Sequence, residues 1–274
     1  MEFLRQSFWH NSVIRESERY LLSKTSYLDS QMELVAVIRV EVNSLKIKDA
    51  WLDRLGRPGA MGESREYIES LKGIVAYLGS GLELRHALQG IEKEIERSLF
   101  NNSIKGIIQA ETFFYQERGF SDAAAYDDAW KEFYSGSCCY YSNLGQITTS
   151  WTDYCGQTLR RINLFDRCLS QQLYRVDEEV YIINGSLIDT FHQINTCLKL
   201  DKRMGVTAAF GQLLRVPDPV CQAAITKLAN IKGYRLPDLS KKEIATLLGA
   251  GEGCVHLIDL VYESKKTLEL YLKQ

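Results

Sequence analysis

Four cysteine and histidine side chains in the last third of the chain carry the chemistry that the sequence offers. Cys254 and His256 lie two residues apart within Gly251-Glu-Gly-Cys-Val-His-Leu-Ile-Asp-Leu260, while His192 and Cys221 lie further upstream. Two thiols and two imidazoles are enough to hold a tetrahedral zinc ion, or an iron or iron–sulfur site with Cys and His ligands. The sequence therefore predicts a metal site made of His192, Cys221, Cys254 and His256.

The helix starts predicted nearby decide whether these side chains can converge. Asp218 is expected to cap a helix that Pro219 begins, which places Cys221 in the first turn, where the helix dipole favours a thiolate. Inside one regular helix, Cys254 and His256 would point about 200° apart at about 3.6 residues per turn. They can face one ion if Cys254 lies in the preceding turn and the helix begins near His256.

Each of these residues also has a simpler interpretation. Asp189, three residues before His192, could orient that imidazole towards a metal, although a solvated aspartate at a strand end is the commoner case. Cysteine is among the most buried residue types, so Val220 and Ala224 could merely enclose Cys221 in a core. In that interpretation these residues have neither a metal-binding nor a catalytic role.

The composition narrows the class of protein. The chain has 274 residues, 45% of them hydrophobic, a net charge of −2 and seven cysteines. This size allows two modest domains, and the charge gives no reason to expect nucleic acid or an anionic membrane as a partner. The odd cysteine count, together with the absence of a signal peptide or a long apolar run, predicts a cytoplasmic protein with reduced thiols. A protein partner and the oligomeric state stay open.

The order of predicted elements indicates an α+β fold of two related domains, each a small antiparallel sheet packed on one face by helices. The domains are predicted at residues 1–118 and 161–274, with residues 119–160 as a helical hairpin that joins them. In both, strands precede a helix that stops at a glycine, Gly73 in the first and Gly233 in the second. Because any two α+β segments can be aligned partly by chance, the shared order and the glycines together carry the interpretation of an internal duplication.

The first domain is predicted to be a degenerate copy without the site. The positions matched to His192, Cys221, Cys254 and His256 fall near Met32, Met61 or Gly62, Asn102 and Ile104. These side chains cannot rebuild a Cys/His site.

Local signals add predictions that the structure can test. Asn184-Gly185 is typical of a turn, and Ser240 with Glu243 has the spacing of a capping box. Apolar residues from Leu84 to Leu99 predict one long helix, and Asn101 to Ser103 predict the cap of the next. The first extended region is predicted to begin at Tyr20.

Residues of about 162 to 273 resemble a bacterial family of unknown function. Its members have a His at the start of a strand, a Cys before a helix, a Gly about a dozen residues later and a terminal Gly-Cys-Thr-His-Leu. Here those positions are His192, Cys221, Gly233 and Gly253-Cys-Val-His-Leu257. The resemblance implies no activity.

More distantly, the layout is similar to the iron–sulfur scaffold fold of the NifU N-terminal and SufU type. That fold carries ligands on a sheet turn, at the start of the helix after the sheet and at the start of the last helix. His192, Cys221 and the Cys254–His256 pair fall on these places. The chain departs from that pattern, since its first ligand would be His rather than Cys and its last pair is not adjacent.

Three hypotheses about function follow. The first is an accessory or scaffold-like protein that binds zinc, iron or an iron–sulfur cluster in the second domain. The second is an enzyme in which Cys221 or Cys254 is a nucleophile and His256 or His192 is its base. The third is a metal-free interaction protein in which these residues are ordinary core.

Overall fold

The computed structural model describes residues 1–55, 62–156 and 160–273, and it mixes helices with a large antiparallel sheet. The mixed α and β character predicted from the sequence is therefore confirmed. The strands are β1 (Glu2–Arg15), β2 (Tyr20–Asp29), β3 (Glu33–Glu41), β4 (Ile47–Leu55), β5 (Ser64–Tyr67), β6 (Asn163–Arg175), β7 (Val180–Asp189), β8 (Gln193–Asp201) and β9 (Val206–Arg215).

The hydrogen-bonded order of the strands is β5-β4-β3-β2-β1-β6-β7-β8-β9. Within each half of this order, consecutive strands are neighbours, and β7 with β8 and β8 with β9 pair antiparallel. This single order differs from the two separate small sheets expected from the sequence. The physical reason is that β1 and β6 are neighbours, and pairing them satisfies backbone groups that two separate sheets would leave at open edges.

The helices follow the strands of each half. They are α1 (Gly81–Ala87), α2 (Glu94–Ala110), α3 (Ala123–Tyr134), α4 (Cys139–Ser142), α5 (Trp151–Cys155), α6 (Lys241–Leu247) and α7 (Val255–Leu272). A 3-10 helix, Pro219–Ile231, follows β9. Within the described ranges, no helix has both the length and the apolar content needed to cross a membrane.

Strand β1 is an element that the sequence pattern does not predict. Its inward positions include Arg5, Ser7 and Asn11, all of which are buried. Because these side chains are polar, the alternation of apolar and polar residues that marks a half-buried strand is missing. For this reason the prediction that extended structure begins at Tyr20 is wrong.

Asn184-Gly185 lies in the middle of β7, so the predicted turn there is wrong. Gly185 faces inward, where an added Cβ would lie 2.8 Å from the Thr196 hydroxyl and 2.9 Å from the Gln171 amide nitrogen. The glycine is needed for this close approach of neighbouring side chains rather than for a reversal of the chain.

The chain divides into two compact units. One contains Met1–Ser7, Asp127–Gln157 and Leu169–Gln274, and is called the C-terminal unit here; the other, the N-terminal unit, contains Phe8–Tyr126 and Thr158–Cys168. The predicted boundaries near 118 and 160 stay predictions.

The C-terminal unit packs α7 on its strands through a stripe of fully buried residues. Leu257, Leu260, Val261 and Leu268 supply the apolar part of that stripe. Ser264 donates to the side-chain oxygen of Gln171 on β6 at 2.8 Å, so this buried polar pair is satisfied. Helix α7 lies over β7 and β8.

The N-terminal unit has the same arrangement of a long helix on its strands. The hydroxyl of Thr25 lies 2.7 Å from that of Ser103 on α2, and Asn11 donates to Thr25 at 2.9 Å. Gly106 on the same helix lies directly against Asn11, where a Cβ would collide with the amide oxygen. This glycine lets the helix approach β1 closely.

Corresponding elements of the two units keep a constant spacing along the chain. Tyr20–Asp29 matches Val180–Asp189, and Gly81–Ala87 matches Lys241–Leu247. Gly73 and Gly233 both have positive φ, at 85° and 89°. Each match spans 160 positions.

This spacing corrects the sequence-based matching of the last helices. The predicted helix from Leu84 to Leu99 is in fact two, because the chain leaves α1 before Gly90 and α2 begins at Glu94. The two long helices begin at Glu94 and Val255, so the residues matched to Cys254 and His256 are Lys93 and Ile95, not Asn102 and Ile104. Gly62 is described, whereas Met61 lies outside the described residues.

The segment that carries α3, α4 and α5 is only partly the predicted helical hairpin. Helix α3 matches the predicted first arm, with the Asp122 side chain accepting from the backbone N–H of Ala125 at 2.9 Å. Of the predicted second arm, which reaches Ile162, the structure shows helix α5, and Gly156 follows it with φ of 69°. Residues 157–159 of that arm lie outside the described residues.

Candidate metal centre

His192 lies at the end of a tight turn between β7 and β8. Asp189 Oδ1 accepts the backbone N–H groups of Phe191 and His192 at 2.8 and 2.6 Å, which is the pattern of an aspartate that builds its own turn. The same oxygen lies 3.1 Å from His192 Nδ1. Asp189 is 2% exposed and His192 is 8% exposed, so the pair is fixed inside the protein rather than on its surface.

Side chains from elsewhere in the C-terminal unit brace this turn. Arg215, the last residue of β9, donates to the carbonyls of Asp189 and His192. The Tyr154 hydroxyl donates to the carbonyl of Phe191. The Phe191 ring packs at 4.8 Å from the Trp151 ring. The position of the His192 imidazole is therefore set by several independent contacts.

His256 lies in the first turn of α7. Cys254 is the N-cap, with extended backbone angles of φ −120° and ψ 119°, and Val255 is the first helical residue. Cys254 therefore precedes the helix, and the helix begins one residue before His256. The geometric condition for the two residues to face one region is met.

The imidazole rings of His192 and His256 lie next to each other. The ring centroids of His192 and His256 are 4.1 Å apart, with a 34° angle between the ring planes. Ligand atoms of Asp189, His192 and His256 all lie within 4.8 Å of one another, and no other such group of three or more occurs in the described part of the chain. Two imidazoles beside one carboxylate are a donor set that suits a single zinc or non-haem iron ion.

The two predicted thiol ligands lie outside this group. Cys221 is buried, in the 3-10 helix Pro219–Ile231, and Cys254 is partly buried. Asp218 caps that helix by accepting the backbone N–H of Val220 at 2.8 Å, as predicted. The structure thus brings together two of the four predicted ligands, His192 and His256, and adds Asp189.

The environment of both thiols reverses the expected shift in acidity. Burial is the main cause that raises the pKa of Cys221, to about 12, and that of Cys254, to about 11. Backbone hydrogen bonds at the helix starts act in the opposite direction but are smaller effects. The sequence-based expectation that the helix start lowers the pKa of Cys221 is therefore wrong, because loss of water outweighs the helix dipole.

Asp189 is the residue that sequence reasoning underrated. A carboxylate at a strand end is usually solvated, yet this one is enclosed and bonded to the turn that it forms. The N-terminal unit shows the same turn: Asp29 Oδ1 accepts the N–H groups of Gln31 and Met32 at 2.6 and 2.9 Å. The turn is therefore a feature of both units, and the imidazole at its end is what sets the C-terminal unit apart.

Neither position matched to the two imidazoles is a histidine in the N-terminal unit. Met32 stands at the position of His192 and Ile95 at that of His256. The residue after Ile95, Glu96, is 2% exposed and accepts two hydrogen bonds of 2.9 Å from Arg54. The N-terminal unit therefore has an ion pair, and no imidazole pair, at this place.

The chain matches no curated protein and no solved structure. The likeness to iron–sulfur scaffolds therefore stays a prediction. Residues 174–269, which include Asp189, His192, Cys221, Cys254 and His256, match the model of a family described as "Protein of unknown function (DUF2889)", so the C-terminal part of the chain is similar to an uncharacterised domain family.

Proposed function

We propose that the protein binds one divalent transition-metal ion, zinc or iron, at the cluster of Asp189, His192 and His256. The observation that carries the proposal is the convergence of two imidazoles and a buried carboxylate within 4.8 Å. Imidazole nitrogen is a preferred ligand of both metals. The group supplies no sulfur, so it suits a single ion better than an iron–sulfur cluster.

Asp189 acts by orienting His192. Its Oδ1 already accepts two backbone N–H groups and lies 3.1 Å from His192 Nδ1. A proton on Nδ1 completes that contact and leaves Nε2 as the nitrogen for the ion, the arrangement found behind many metal-bound histidines. His192 and His256 are then the protein ligands, and the remaining coordination positions are open to water or a further ligand.

An accessory metal-binding role is favoured over a cysteine-nucleophile enzyme. Thiols with a pKa of about 11 or 12 are almost wholly protonated at neutral pH, and the thiolate is the reactive form. Neither Cys221 nor Cys254 belongs to the cluster of Asp189, His192 and His256. The histidines therefore support metal binding better than they support activation of a thiol.

Zinc titration of the untagged full chain tests the proposal. We expect one ion per chain for the wild type, and at least about 100-fold weaker binding for His192→Ala, since a lost ligand removes several kcal/mol of a site's affinity. The chain has four histidines, and His86, exposed on α1, provides the matched control. His86→Ala should bind zinc like the wild type. Equal affinity of His192→Ala and His86→Ala would overturn the proposal.

Asp189→Asn separates the orienting role from that of a ligand. The asparagine keeps an oxygen that can accept the turn N–H groups but loses the charge that holds the His192 imidazole. We expect zinc affinity to fall about 10- to 100-fold, the usual cost of losing a partner behind a ligand, and to stay tighter than in His192→Ala. The same competition assay with a chromogenic chelator measures both. A loss as large as that of His192→Ala would make Asp189 a ligand instead.

We also infer that the two units descend from one duplicated unit and that only the C-terminal copy carries the site. The support is the spacing of about 160 positions shared by strands, turn glycines and helices, and the matching turns at Asp29 and Asp189. An experimentally determined structure in which the strands and long helices of the two units fail to superpose would contradict this.

A further inference from the structure

Four of the seven cysteines meet within the C-terminal unit, at the starts of three helices. The backbone N–H of Cys139, the first residue of α4, donates at 2.7 Å to the carbonyl of Gly253, the residue before Cys254. The Cys139 thiol donates at 3.2 Å to the carbonyl of Val220, the residue before Cys221. Three segments far apart in sequence therefore place their cysteines side by side, and all of these thiols are free.

The hydrogen bond from Cys139 to Gly253 joins the peptide groups Cys138–Cys139 and Gly253–Cys254, so both cysteines of the first group lie beside Cys254. Cys138, Gly253 and Cys254 have extended backbone angles, and residues that face each other across extended segments have Cα atoms about 4.5 to 5.5 Å apart. A disulfide spans Cα separations of about 4.4 to 6.8 Å. Cys138 and Cys139 both flank this contact with Cys254. The Cys139 sulfur is directed to Val220, so Cys138 is the residue left to meet Cys254.

Exposure to solvent distinguishes the same pair. Cys138 and Cys254 are partly exposed, whereas Cys139 and Cys221 are buried. A small reagent can therefore approach Cys138 and Cys254 more readily than the other two cysteines of this group.

We propose that Cys138 and Cys254 are a site of reversible oxidation, which closes to a disulfide by exchange with a low-molecular-weight disulfide of the glutathione type. The Cys138 thiolate attacks one sulfur of the reagent, the reagent's S–S bond breaks, and one small thiolate leaves. Cys254 then loses its proton to solvent and its sulfur attacks the Cys138 sulfur, expelling the second small thiolate. Two protein thiols become one disulfide, and the reagent is reduced to two thiols.

The bond would tie α4 to the N-cap of α7. Cys254 ends the turn that begins at Gly249, and a bridge there limits how that turn and the first residues of α7 can move. The inference does not depend on metal binding, and its test needs no metal.

The test equilibrates the full chain in glutathione buffers of increasing oxidation, traps free thiols with N-ethylmaleimide and maps disulfides by mass spectrometry. We expect one internal bridge between the peptide with Cys138 and Cys139 and the peptide with Cys254. Cys168 and Cys197, which are also partly exposed but lie on strands, serve as controls and should be trapped by the reagent or carry glutathione.

Two variants assign the bridge, because Cys138 and Cys139 are adjacent and share a peptide. The bridge should be lost in Cys138→Ser and kept in Cys139→Ser, and thermal unfolding followed by circular dichroism shows that each variant is folded. The proposal is overturned if the bridge survives in Cys138→Ser, if Cys254 pairs with Cys221, or if the oxidised wild type carries glutathione on its thiols without an internal bridge.

Discussion

Arg118→Ala is expected to lower the free energy of unfolding by about 3 to 5 kcal/mol, the usual cost of leaving a buried charge without its partner. Glu111 is fully buried, and its carboxylate accepts a 2.9 Å hydrogen bond from Arg118 Nε and another from the Tyr77 hydroxyl. Arg118 also donates to the carbonyl of Asn43. Removing the guanidinium leaves the carboxylate with one neutral donor.

Urea unfolding at neutral pH measures the effect, with Lys202→Ala as the matched control. Lys202 pairs with Glu179 at 2.7 Å, but both side chains are more than half exposed, so its loss should cost at most about 1 kcal/mol. Adding Glu111→Gln to Arg118→Ala should recover part of the stability, because the buried charge is then gone. Similar losses of unfolding free energy for Arg118→Ala and Lys202→Ala would show that the buried ion pair contributes no more to stability than the exposed one.

Trp151→Ala is expected to cost about 3 to 5 kcal/mol of stability, as large-to-small changes of a buried aromatic do. Trp151 lies between two aromatic neighbours, 4.8 Å from the Phe191 ring and 6.5 Å from the Trp130 ring. Because Phe191 belongs to the turn that presents His192, the change should also weaken zinc binding. The expected pattern is a lower midpoint of thermal unfolding together with lower zinc affinity under conditions where the variant is folded.

Trp51→Ala is the control for this prediction. Trp51 lies on β4 in the N-terminal unit, is only partly buried and packs at 6.3 Å from the exposed Tyr67 ring. We expect a smaller loss of stability and unchanged zinc affinity. If Trp151→Ala were as mild as Trp51→Ala, or kept full zinc affinity while folded, the aromatic support of the His192 turn would be refuted.

Local signals in the sequence predicted local structure well. The capping box of Ser240 and Glu243 is present with both of its hydrogen bonds, and Asp218 caps its helix as expected. The start of α7 at Val255 follows from the glycine-rich turn before Cys254. These helix caps and helix starts depend on residues within one turn of each other, so they can be predicted from the sequence.

Features set by distant contacts could not be predicted in this way. Arg5 and Ser7 make β1 look polar, because the partners that bury them come from elsewhere in the fold. The burial of Asp189 depends on the turn and on the strands around it, not on its neighbours in sequence. The rise in the pKa of Cys221 likewise comes from burial by the completed fold, which a helix start alone does not reveal.

For the same reason only two of the four ligands predicted from the sequence, His192 and His256, lie together in the structure. His192 and His256 are brought together because β7, β8 and α7 pack on one another, which the repeated order of elements anticipated. Whether Cys221 and Cys254 would join them depended on which way their side chains turn, and residue spacing does not determine that.

The two strands at the ends of the strand order, β5 and β9, each have a feature that disfavours pairing with another chain. The outermost strand on one side, β5, has only four residues, all exposed, and Arg65 and Glu66 put charge on it. On the other side, the pairing of β8 with β9 shifts register twice, between Gln193 and Ile194 and between Lys199 and Leu200. Because a short charged edge strand and an irregular one are poor templates for another chain, we expect neither strand to promote edge-to-edge aggregation.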